Sequence, residues 1–146
     1  MHELVMAVFL AAAGASQEAA VVATVNKFVD SFNKGDAKAA VAMCAAETSI
    51  IDEFPPHEWH GAGACERWLA DFDADATKNG ITDAIVTMGK LRHVDVTGDR
   101  AYVVSPVDYS YKQKGKPVKE TGSTFTLVLQ NVGGSWRLTG WAWSKN

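Results

Sequence analysis

The chain has 146 residues, 47% of them hydrophobic and 21% charged, which makes one ordinary globular domain and excludes a disordered chain or a multidomain enzyme. Its formal net charge is −3, and the 14 basic residues are scattered among 17 acidic ones, which excludes the basic footprint of a nucleic-acid binder. Two cysteines, Cys44 and Cys65, are too few for a disulfide scaffold and lack the C-x-x-C spacing of a zinc ribbon.

Residues 1–15, MHELVMAVFLAAAGA, hold an apolar run from Leu4 to Ala13 and then small residues. They read either as a cleaved secretory signal or as a helical arm leading into the first helix. Glu3 stands where a signal would carry positive charge, and the run is too short to span a bilayer, so no membrane span is expected. The signal reading places the protein in the periplasm or outside the cell, the arm reading in the cytoplasm. Residues 16–146 form the single domain either way.

From Ser16, a candidate cap, Val21, Val25, Phe28, Val29 and Phe32 recur with helical period, predicting a first helix to about residue 34. Gly35-Asp36 then makes a helix–helix corner, with glycine ending one helix and Asp36 capping the next, over about 37–46. Residues 48–54, TSIIDEF, favour a strand that Pro55-Pro56 terminates. A polar turn over 57–61 leads to a third helix over about 62–77, stopped at Asn79-Gly80. Twenty of the 22 alanines lie in the first 84 residues, and the remainder is strand-like. Four runs, about 83–96, 100–114, 118–131 and 135–144, are joined by short glycine-bearing links, as an antiparallel meander requires. Gly89, Pro106, Gly122 and Gly140 interrupt them and predict bends that curve the sheet. The expected fold is therefore α+β: three N-terminal helices packed on a long, curved antiparallel meander, a cone-shaped half-barrel with a pocket between helices and sheet.

This order of elements, with the G-D corner, the strand ending in Asp52, the Gly-Gly turn at 133–134 and the following W-R-L, resembles the nuclear-transport-factor-2-like superfamily. That cone fold is shared by ketosteroid isomerases and polyketide-cyclase-like proteins. The likeness covers about 21–143 and is strongest over 25–61, VNKFVDSFNKGDAKAAVAMCAAETSIIDEFPPHEWHG. The resemblance puts Asp52 where the isomerases keep a proton-shuttling carboxylate, suited to take a proton from a carbon beside a carbonyl. It puts Phe28, which cannot donate a hydrogen bond, where they keep an oxyanion-binding tyrosine, and only Ser123, Thr124 or Thr126 where they keep a protonated aspartic acid. Removing one such donor costs about a hundred- to a thousandfold in rate, so the resemblance does not extend to steroid isomerisation. One scaffold in this superfamily serves enzymes and non-enzymes alike.

Strand alternation puts Ile50, Asp52 and Phe54 on one face. Phe28, Phe54, Trp59, Trp68 and Tyr109 are the expected ligand-binding wall around Asp52. Tyr109 with Tyr111, and Trp141 with Trp143, are same-face pairs for which core, pocket and subunit interface are all open. The resemblance implies pairing of subunits through the sheet face, with Trp141 and Trp143 as candidates. His57 and His60 beside Asp52-Glu53 give H-E-x-H in a proline-led turn, a polar loop rather than the helical H-E-x-x-H of a zinc site. No metal or cofactor is expected, and His93 is assigned no role. Cys44 and Cys65 bridge if the protein is exported and are buried thiols if it is not. The leading expectation is a homodimeric domain binding a small apolar molecule around Asp52, with proton-transfer or water-activating chemistry. The alternative is a non-catalytic dimerisation or binding module.

Overall fold

The turn at Gly35-Asp36 fixes how the first two helices meet. Helix α1 (His2–Asn33) ends where Gly35, at φ 70°, donates to the Phe32 carbonyl and Asp36 N–H to that of Ser31. The Asp36 carboxylate then accepts from Ala39 N–H at 3.0 Å and starts α2 (Ala37–Val41). The computed structural model describes residues 2–146, with side chains from residue 13 onward. Among the described residues no helix is long and apolar enough to cross a membrane.

Helix α2 stops well short of the expected residue 46, because β1 (Cys44–Ile51) begins there. The Met43 carbonyl accepts from Leu138 N–H at 2.8 Å, and Cys44 pairs with Leu138. Pairing with a distant strand thus overrides the helical preference of the Cys44-Ala45-Ala46 segment. The other end of β1 also differs, since Asp52 N–H donates to the His57 carbonyl at 2.9 Å and turns the chain before Phe54. The segment expected as a polar turn is mostly strand: β2 (Glu58–Ala62) pairs antiparallel with β1, Trp59 facing Ile50. Helix α3 (Ala64–Asn79) follows, so the three helices are interrupted by a hairpin rather than consecutive.

The remaining strands are β3 (Ile81–Met88), β4 (His93–Thr97), β5 (Arg100–Gln113), β6 (Lys116–Val132) and β7 (Ser135–Ser144). The first expected run is divided at residues 89–92, and both pieces pair with β5, β4 along its start and β3 along its end. Seven strands form one sheet in the order β2-β1-β7-β6-β5-β3, with β4 also on β5. Because β1 runs parallel to β7, the sheet is mixed, not the purely antiparallel meander expected. That junction is tight: a side chain at Gly140 would place its Cβ 2.5 Å from the Ser49 carbonyl oxygen.

Alternation along β5, β6 and β7 sends Val103, Leu127, Leu129 and Leu138 into a core closed by Val21, Val25 and Phe28 of α1 and Trp68 of α3. Two links hold the helices to the sheet. A disulfide joins Cys44 at the start of β1 to Cys65 in α3, across a sequence separation of 21. At the end of α1, the Asn33 side-chain amide donates to the Val86 carbonyl at 2.9 Å and accepts from Val86 N–H at 2.8 Å.

Candidate functional site

A cavity of about 460 Å³ opens between α1, α3 and the sheet. Asp52 reaches it because the turn after β1 rolls the chain inward. One carboxylate oxygen accepts from Glu53 N–H at 2.7 Å and the other from the Trp68 indole N–H at 2.8 Å. Burial pushes the Asp52 carboxyl up to about 6, against the Trp68 indole, the Glu53 N–H and the Trp141 indole, which favour the charged form. Among the described residues no Lys, Arg or His side chain forms an ion pair with it.

The wall around it is aromatic. Phe28 and Phe32 come from α1, Trp68 and Phe72 from α3, and Phe125, Trp141 and Trp143 from the sheet. The Phe28 and Trp141 rings are 5.0 Å apart, and Trp68 meets Trp141 edge-on at 5.0 Å. A second polar group lies on the same cavity, where Lys145 bridges Glu53 and Glu120, its Nζ 3.3 Å from Glu53. Burial, then the neighbouring Glu120, pushes the Glu53 carboxyl up to about 7. Lys145, hydrogen-bonded to Glu120 and Glu53, is pushed up to about 12. Burial and the nearby Glu53 hold the Tyr109 phenol well above its ordinary value, so it stays a protonated donor.

Of the residues expected here, Asp52, Phe28, Phe54, Trp68 and Tyr109 line the cavity. Trp59 does not. It packs behind Phe54, ring centroids 5.1 Å apart, and its indole donates to Asp71 at 2.8 Å, because β2 directs it toward α3. Trp141 and Trp143 lie in the cavity wall too, which removes them from the outer sheet face as candidates for subunit contact. The exposed apolar residues there include Tyr102 and Val128, opposite one another across β5 and β6. Ser123, Thr124 and Thr126 line no part of the cavity, whereas Phe125 between them does. His57 is exposed and His60 pairs with Glu58 at 3.4 Å on the surface. No cluster of three or more His, Cys, Asp or Glu suited to a metal occurs among the described residues.

Sequence reasoning missed Glu120 and Lys145 as polar groups on the cavity, and left Tyr111, which joins them there, open between core, pocket and interface. Counting back from the inward Phe125 by strict alternation sends Glu120 outward. An extra residue on β6 between Ser123 and Glu120, beside Gly122 at φ 75°, reverses that and sets Glu120 opposite Tyr109. The interior glycine was the available signal.

Residues 21–144 match the family model of the SnoaL-like domain. The chain belongs to this family, within the NTF2-like superfamily. Solved structures agree with the SnoaL-like fold. An NTF2-like superfamily protein from Salmonella enterica is 14% identical with a TM-score of 0.75, over 90% of this chain and 92% of that one. An NTF2-like protein with a cystatin-like fold from Novosphingobium aromaticivorans is 15% identical with a TM-score of 0.70, over 96% and 87%. A protein provisionally assigned as a ketosteroid isomerase, from Shewanella frigidimarina, is 25% identical with a TM-score of 0.65, over 86% and 94%. No curated protein sequence matches the chain.

Proposed function

We propose that this SnoaL-like domain binds a small, largely apolar molecule in the cavity, and that Asp52 is the group that accepts a proton or a hydrogen bond from it. The observation that carries this is the desolvated Asp52 carboxylate, raised to about 6 and set by Trp68 in an aromatic wall. Such a group is ionised at neutral pH yet close enough to its pKa to exchange a proton. Steroid isomerisation lies outside the proposal, since Phe28 supplies no donor to a developing oxyanion. That same residue favours a second reading, binding without turnover.

Trp68, Trp141 and Trp143 line the cavity, so intrinsic fluorescence reports occupancy directly. The expected result is quenching by members of a panel of small apolar compounds, with affinity changing through about pH 6 in the wild type and not in Asp52→Asn. No binder in the panel overturns the proposal. Turnover of a bound compound that Asp52→Asn abolishes decides for catalysis over binding alone. The proposal also retains two copies per assembly, with Tyr102 and Val128 at the contact in place of the tryptophans. Light scattering should give twice 15.7 kDa, and the monomer mass overturns that part.

A further inference from the structure

The cavity is unusual in the sign of what lines it. Ten aromatic rings contribute to its wall, together with the carboxylates of Asp52, Glu53, Asp75 and Glu120. The only lining cations among the described residues are Lys78 and Lys145. Lys145 is already shared between Glu53 and Glu120, and its side chain is 57% exposed, so its charge sits toward solvent. Asp52 accepts from neutral donors, the Trp68 indole and the Glu53 N–H, and the Trp141 indole also favours its charged form.

The inner cavity thus offers aromatic rings and an ionised carboxylate with no cation in ion-pair contact, the exposed His57 acting on it from farther off. Ring faces carry the negative end of the aromatic quadrupole and attract organic cations, more strongly when water is excluded. A neutral guest leaves the buried Asp52 charge balanced by hydrogen bonds alone, and an anionic guest is repelled by it. Trp143, nine-tenths buried in the same wall, has an indole N–H without an acceptor.

Resting on the reading of the cavity as a small-molecule site, we propose that its ligand carries an organic ammonium group on an apolar body, the cation seated among the rings beside Asp52. A quaternary ammonium is the cleanest probe because it has no proton to transfer. Benzyltrimethylammonium and neopentylbenzene share one shape and differ by a single charge. Their affinities for the full chain, read by tryptophan fluorescence at pH 8, above the Asp52 value of about 6, test the idea.

The expected result is at least tenfold tighter binding of the cation, with Asp52→Asn bringing the two affinities together. A ratio below tenfold with measurable binding overturns the ammonium inference and leaves the small-molecule reading standing. A tenfold preference that survives Asp52→Asn overturns the placement beside Asp52. Binding of neither compound, while other apolar compounds of the panel bind, overturns the inference alone; if none of them binds, the small-molecule reading falls as well.

Discussion

The Trp68 indole N–H and the Asp52 carboxylate, sixteen residues apart in the chain, meet at 2.8 Å on the cavity wall. The helix and the turn that carry them are positioned independently, one by the apolar stripe of α3 and the other by the end of β1. Their contact therefore couples the placement of α3 to the protonation of the candidate catalytic group.

Replacing Trp68 with Phe keeps most of the ring packing and deletes that donor. Because the indole favours the charged form, its loss should raise the Asp52 carboxyl above about 6. A hydrogen bond to a charged group contributes about 1.5–3 kcal/mol, so the rise should be roughly one unit or more. Carbon-detected NMR titration of the carboxyl checks it, and an unchanged midpoint would show that the contact carries no weight.

Asp52 also makes stability depend on pH. Its folded value, about 6, lies above the ordinary value of 3.8, so between those values the folded protein holds a proton that the unfolded chain has released. Stability should consequently be greatest below about pH 3.8 for this group and fall as pH rises toward and through about 6, by at most about 3 kcal/mol. Glu53, raised to about 7, acts in the same direction over a higher window. Denaturant unfolding of Asp52→Asn should show a flatter profile and a gain over wild type at pH 8 that vanishes near pH 4.

The Cys44–Cys65 disulfide closes a loop of sequence separation 21. Chain-entropy reasoning gives such a cross-link about 3 kcal/mol of stabilisation. Titration of the denatured, unreduced protein should reveal no free thiol. The double variant Cys44→Ser, Cys65→Ser should unfold at lower denaturant by a corresponding amount, and a wild-type midpoint would contradict the loop argument.

Gly140 lies where β1 crowds β7, and an added Cβ would sit 2.5 Å from the Ser49 carbonyl oxygen. That atom is backbone in a paired strand and cannot swing aside. Gly140→Ala should cost roughly 1–3 kcal/mol, as overpacking of a close contact does. Urea unfolding measures it, and a loss below a few tenths of a kcal/mol would mean that the strands separate freely.

What could be read in the sequence was whatever depended on local period. The stripe through Val21, Val25, Phe28 and Phe32 and the inward face of Trp68 follow from the helical repeat, and the hairpin links announced β5, β6 and β7. Asp52 was legible through family resemblance and the end of its strand. Hidden features depended on partners far along the chain. The early start of β1 is set by Leu138, and the inward Glu120 by a bulge beside Gly122 that reverses the pleat. Trp59 shows the same limit, since its segment read as a polar turn and the acceptor that claims its indole, Asp71, belongs to another element.

Asn33 gives the molecule a boundary. Val86 pairs with Tyr109 on β5, and its outward backbone groups are taken by the Asn33 amide, which presents one donor and one acceptor as a neighbouring strand would. A sheet edge with free N–H and C=O groups is a template for recruiting strands from other chains. Here a side chain from the end of a helix occupies that template. Cross-chain strand addition at Val86 would first have to displace this amide.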